Sequence, residues 1–143
     1  MKPLPPEDIA HVVKHVDWSA LSGKRILMTG GTGFFGRWMV ESFLASGADA
    51  ELYIISRGSL PWLYPNFIRW DFGHDEGPYN NPDYLWDYII HMANDTQYPF
   101  PANVLGTRSL LNLRHKRFLF TSSGAVYDAD STNPNDSYGI CKT

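Results

Sequence analysis

The chain has 143 residues, enough for one domain with a real core, and 43% of them are apolar against 19% charged. A formal net charge of −3 removes the electrostatic basis for nucleic acid or an anionic membrane as partner, and the single cysteine, Cys141, excludes an internal disulfide framework. No apolar run approaches the ~20 residues of a membrane span, and prolines and acids interrupt the N-terminal stretch where a signal peptide needs apolar continuity, so the reading is a cytoplasmic protein.

Residues 1–22 read as an extension before the domain proper. Pro5 and Pro6 open a helix there, with Glu7 and Asp8 in its first turn, where the dipole favours acid. His11 and His15 lie four apart on that helix and read as a surface pair. Alternation then begins. Arg25–Thr29 is a short apolar strand, and Phe34–Ser46 is a helix that Gly47 stops. Further strands are expected at 51–56, 66–70, 88–93 and 117–122, with a helix at 104–114. The basic cluster Arg114, His115, Lys116, Arg117 reads as a solvated turn before the last strand. Strands alternating with helices predict an α/β Rossmann-type fold: a doubly wound parallel sheet with helices on both faces. The aromatic run Trp62, Tyr64, Phe67, Trp70 has no basic stripe beside it and reads as packing rather than base stacking.

The first strand–helix junction is Thr29-Gly-Gly-Thr-Gly-Phe-Phe-Gly36. It satisfies G-x-G-x-x-G through Gly31, Gly33 and Gly36, and G-x-x-G-x-x-G through Gly30, Gly33 and Gly36. In either spacing one glycine makes the turn, one lets the backbone approach a pyrophosphate, and the last lets helix pack on strand. The helix N-terminus then offers N–H groups and a positive dipole end to the phosphates. At the end of the second strand, Ser56-Arg57-Gly58 carries no acid for a ribose diol. Arg57 is suited instead to a 2′-phosphate, which favours NADP over NAD.

Near the C-terminus, Tyr138 and Lys142 form Y-x-x-x-K. Four apart on a helix they share a face, and an ammonium beside a phenol favours the phenolate. Upstream, Phe120-Thr-Ser-Ser-Gly-Ala-Val-Tyr127 places small hydroxyl residues after a strand, at the sheet edge where open α/β folds bind ligands.

In that order, TGGTGFFG, FTSSGAVY and SYGICK resemble the extended short-chain dehydrogenases, the NAD-dependent epimerase/dehydratases. Trp70-Asp71-Phe72, His91-Met92-Ala93 and Asn103-Val-Leu-Gly-Thr107 match further family patterns, and the likeness spans residues 24–142. The resemblance implies that Gly30, Gly33 and Gly36 cradle the pyrophosphate with Phe34 and Phe35 beside it. It implies that Asp71 and Phe72 hold the adenine, with Met92 and Ala93 at the end of the fourth strand. Ser123 aligns with the family's catalytic serine or threonine, Tyr138 with its acid/base. Lys142 aligns with the lysine that tunes the tyrosine and holds the nicotinamide ribose. No metal site is implied.

The sequence departs from the family in three ways. The domain, residues 23–143, stops just after Y-x-x-x-K, ahead of the family's C-terminal substrate domain. The connections at 57–67, 93–103 and 114–117 are short for a doubly wound fold, which suggests omitted segments and an incompletely closed core. Gly124 and Ala125 stand where sugar 4,6-dehydratases carry an Asp-Glu pair, which disfavours dehydration, and Asp128 replaces a family glycine. The expected function is an NAD(P)-dependent epimerase or reductase acting on a nucleotide sugar by hydride transfer, as a possible homodimer. The alternatives are a non-catalytic, redox-sensing dinucleotide module and an inactive fragment.

Overall fold

The computed structural model describes residues 4–58, 66–71, 84–97, 99–127 and 137–142. Phe72, Trp62, Tyr64 and Asp128 lie outside these. Five strands form one parallel sheet: β1 (Arg25–Thr29), β2 (Glu51–Ser56), β3 (Asn66–Arg69), β4 (Trp86–His91) and β5 (His115–Phe120). Their order is β3-β2-β1-β4-β5, so the chain reverses direction across the sheet between β1 and β4. That reversal is the topological switch point at which doubly wound folds open a ligand crevice.

Alternation along β1 sends its side chains into two cores. Ile26 and Met28 pack with Val40, Phe43, Leu52 and Ile54, under α2 (Phe34–Ser46). Leu27 packs on the opposite face with Ile55, Ile68, Trp70, Trp86, Ile89 and Leu110, the last from α3 (Gly106–Leu111). Helices therefore cover both faces, as the alternation requires. On the α2 face the cover is partial: an apolar cavity lies between α2 and the β4–β5 side of the sheet, and Leu119 of β5 is exposed there. A wide helical turn at Phe100–Leu105 runs directly into α3 and delivers the chain to β5.

The N-terminal extension folds onto the domain. α1 (Pro6–His15) buries Ile9 and packs against α2. The His11 and His15 rings stack at 4.2 Å. A following helical turn, Trp18–Leu21, is capped by Asp17, whose carboxylate accepts from Ser19 N at 3.0 Å. α2 ends at Gly47 in the left-handed region, φ 65°, with no atom near a would-be Cβ. Gly47→Ala is thus expected to cost about 1 kcal/mol through backbone strain alone, read from urea denaturation.

Strand positions differ from expectation on both sides of the sheet. β4 and β5 each begin two residues earlier than the sequence suggests, and β3 ends one earlier. The basic cluster is not a turn: His115, Lys116 and Arg117 belong to β5, where Lys116 Nζ pairs with Asp87 Oδ1 at 2.7 Å. Of the aromatic run, Trp70 is buried, in keeping with a packing role, whereas Phe67 on β3 is exposed.

Candidate active site

The glycine turn joins the end of β1 to α2 at the switch point. Gly30 holds φ 74°, and a Cβ on it would lie 2.7 Å from the Ala93 nitrogen and the Met92 carbonyl carbon. Only glycine lets this turn pass the end of β4 so closely. Gly33 is the N-cap of α2, and its N–H donates to Gly30 O at 2.9 Å, which closes the turn. A Cβ on Gly36 would overlap the Gly30 carbonyl oxygen and stand 2.6 Å from Gly31 Cα, so helix packs directly on turn. Gly31 is buried against Ile54. Of the two spacings in the sequence, the structure therefore assigns turn, cap and packing to Gly30, Gly33 and Gly36.

Beside this turn lies a cleft of about 790 Å³. Gly33, Phe34, Phe35 and Gly36 form one wall, Ser56, Arg57 and Asp71 the strand ends, and Met92, Ala93 and Asn94 the other side. Phe34 and Phe35 are largely exposed there, with rings edge-on at 5.2 Å. The α2 N-terminus, capped by no side chain, opens beside the cleft, the arrangement that favours a phosphate. A glycine cradle that a single Cβ would fill, at a helix N-terminus, fits a dinucleotide pyrophosphate. A second cavity of about 640 Å³, between α2 and the β4–β5 side of the sheet, is lined by apolar side chains such as Trp38, Phe43 and Phe118. Ser42, whose buried hydroxyl lacks a partner, also lines it, but the glycine turn does not.

Under the cleft runs a buried polar chain. His91 Nδ1 lies 2.7 Å from Thr29 Oγ1, and His91 Nε2 lies 2.9 Å from Thr107 Oγ1. Thr107 Oγ1 donates to the Asn103 carbonyl, so it can only accept from the ring, and Nε2 carries the hydrogen. Nδ1 then accepts from the Thr29 hydroxyl, which in turn accepts from Ala93 N at 3.0 Å. Every member is satisfied with His91 neutral. Burial, with the Lys142 ammonium adding repulsion, pushes the His91 pKa down to about 4. Asn103 extends the chain: its amide accepts from Asp95 N and donates to Asp95 O, both at 3.0 Å, which fixes the loop after β4.

The residues expected to do chemistry are carried on adjacent segments. Ser123 caps a short turn at Gly124–Val126, its hydroxyl accepting from Ala125 N at 3.2 Å. Tyr138, in α4 (Ser137–Ile140), accepts at its Oη from Asn94 Nδ2 at 3.4 Å. Lys142 is buried, with its Nζ donating to Thr121 O at 3.3 Å and lying 4.5 Å from the Phe120 ring centre. Burial pushes its pKa down from the ordinary lysine value. Tyr138 and Lys142 thus meet the cleft through Asn94 and Thr121, which line it, and no hydrogen bond joins Ser123, Tyr138 and Lys142 among the described residues. Arg57 faces a carboxylate: its Nη1 lies 3.2 Å from Asp95 Oδ2. Cys141 is half-buried and its thiol pKa is raised by burial, which disfavours the reactive thiolate. Sequence reasoning missed Asn94 and Asp95, because their partners Tyr138 and Arg57 are distant in the chain.

Fold, switch point and glycine turn define a Rossmann-type domain of the dinucleotide-binding class. Residues 26–143 match the NAD dependent epimerase/dehydratase family, and the chain belongs to that family. An epimerase from Methanothermobacter thermautotrophicus shares the fold with TM-score 0.62 at 21% identity, covering 87% of this chain and 46% of its own. The ADP-L-glycero-D-manno-heptose-6-epimerase of Helicobacter pylori gives TM-score 0.63 at 18% identity, covering 89% of this chain and 51% of its own. A short-chain dehydrogenase from Leptospira borgpetersenii, solved with bound NAD+, gives TM-score 0.63 at 18% identity, covering 89% and 63%. The chain thus spans about half the length of the first two of these structures. No curated protein matches the sequence. Among the described residues, no helix is long and apolar enough to cross a membrane.

Proposed function

We propose that this chain is the dinucleotide-binding portion of an NAD(P)-dependent enzyme that epimerises or reduces a nucleotide sugar. The observation that carries the reading is the cleft at the switch point, where the α2 N-terminus and three close-packed glycines meet Asp71 and the Met92–Ala93 strand end. Gly30, Gly33 and Gly36 would hold the pyrophosphate, with Phe34 and Phe35 at its flank, and Asp71 the adenosine end. Arg57, which lines the cleft, would take a 2′-phosphate, which favours NADP. Bound nicotinamide supplies a hydride acceptor and donor. Tyr138 moves the substrate proton at its Oη, with Asn94 orienting that oxygen from the cleft wall. Lys142 keeps a cation at the floor of the site through the Thr121 carbonyl. Ser123 contributes its hydroxyl to the substrate oxygen.

Calorimetric titration with NAD and NADP tests the cofactor half of this reading, and saturable binding of at least one is expected. Gly33→Asp separates binding from folding. Aspartate is a favoured N-cap residue, and Gly33 has the extended conformation, φ −76°, that such a cap adopts. The variant should melt no lower than the parent yet bind dinucleotide at least about tenfold more weakly, because a carboxylate then opposes the pyrophosphate. Undiminished binding would remove the phosphate role from this turn. For the catalytic half, Tyr138→Phe should abolish turnover of nucleotide sugars, followed by NMR of the products, with dinucleotide affinity unchanged. Retained turnover would take the acid/base role from Tyr138.

A further inference from the structure

Arg57 and Asp95 face each other at the adenosine end of the cleft although 38 residues separate them. Arg57 follows β2 and lines the cleft with Ser56 and Asp71, while Asp95 follows Ala93 and Asn94 on the far side. The two members are unequal. The Arg57 side chain is 60% exposed and the Asp95 side chain 14%. Asp95 is held at three points: Asn103 clamps both its backbone groups, and its Oδ1 accepts from Gln97 N at 2.8 Å. Asn103 is itself buried and tied through Thr107 to His91. Asp95 is therefore the fixed charge, and the guanidinium is the mobile one drawn to it.

We infer that Asp95 is a cofactor-specificity residue, which tempers the attraction of Arg57 for a 2′-phosphate and keeps NAD competitive with NADP. The inference rests on the dinucleotide reading above. A 2′-phosphate on Arg57 must share or displace the carboxylate already paired there, and a second anion so near opposes it. A dinucleotide with a free 2′-hydroxyl meets neither cost. The exposed Arg57 guanidinium keeps the pair weak enough for a ligand to open.

The test is calorimetric measurement of Kd for NAD and for NADP on the parent chain, Asp95→Asn and Arg57→Gln. The asparagine keeps an acceptor for Gln97 N and leaves the Asn103 clamp intact, so the loop should persist. Asp95→Asn is expected to raise NADP affinity relative to NAD by about fivefold. Arg57→Gln, on the exposed partner, is expected to lower NADP affinity by about tenfold and to leave NAD within twofold. An unchanged NADP-to-NAD ratio in Asp95→Asn, or unchanged NADP affinity in Arg57→Gln, overturns this inference and leaves the dinucleotide site standing. Failure of the parent chain to bind either dinucleotide overturns both.

Discussion

Gly36→Ala is expected to destabilise the chain by about 3 kcal/mol, the upper range for forcing one carbon into a filled space. The added Cβ meets backbone, the Gly30 carbonyl and Gly31 Cα, and not the tip of a side chain that can swing aside. Relief requires α2 to lift off the end of β1, which moves Val40 and Phe43 from the core they share with Ile26 and Met28. The same shift withdraws the Gly33 cap from the cleft, so dinucleotide affinity should fall with stability. Urea denaturation measures the first effect and calorimetry the second. Gly124→Ala is the matched control, since nothing lies within 4 Å of its would-be Cβ, and it should change stability by less than about 0.5 kcal/mol. Coincident urea midpoints for the parent and Gly36→Ala would show that the turn yields freely, and that the third glycine serves no packing need.

Acid should weaken the fold well before the carboxylates titrate. His91 takes up a proton near pH 4 in the folded chain, against an ordinary value of 6.5. Between those values the unfolded chain holds the extra proton, so stability is complete above pH 6.5 and falls as the pH drops toward 4. The full loss is about 3 kcal/mol, reached at and below pH 4. The hydrogen-bond pattern gives the reason beyond burial. A proton on Nδ1 would turn the ring into a donor on both sides, and the Thr29 hydroxyl would lose its acceptor. Urea midpoints between pH 7.5 and 4 measure the slope. His91→Asn should be less stable at neutral pH and nearly flat across that window. Asp87, held below the usual carboxylate range first by its hydrogen bond from Lys116 and then by that from Arg25 N, contributes only further down, as the pH falls below about 4. An equal slope in both proteins would assign the acid lability to some other group.

The first half of the sheet was legible because its signals are local. β1, α2 and β2 follow from a short apolar run, a glycine turn and a glycine stop, each readable within a few residues. β4 and β5 slipped by two residues because polar residues stand near their starts, Asp87 in β4 and His115 and Lys116 in β5. Asp87 looks unlike a strand residue until Lys116 and Arg25 N are seen to use its carboxylate from neighbouring strands. The connection from Ala93 to Asn103 read as too short, yet proline at a helix start is favourable, and a helical turn begins within it at Phe100. α3 ends at Leu111, short of the expected Arg114, because three residues are needed to enter β5. Within the site, the glycine turn was legible from spacing, but two spacings fitted, and only the φ of Gly30 and the close contacts at Gly30 and Gly36 choose between them. Arg57 was read as a partner for a 2′-phosphate, and its pairing with Asp95 depends on two loops that meet only across the finished sheet.

The position of β1 in the middle of the sheet has a consequence for synthesis on the ribosome. Its partner on one side, β2, follows almost at once: Arg25 aligns with Glu51. Its partner on the other side, β4, is far off, and the Thr29–His91 bond spans 62 residues. An emerging chain therefore has to carry β1 with one flank of unpaired peptide groups while those residues are translated, for several seconds at ~5–20 residues per second. During that interval the apolar run Ile26–Met28 is an open template for a wrong strand. The nascent chain should depend on chaperone cover most in that interval, and least once His91 has arrived to close the gap.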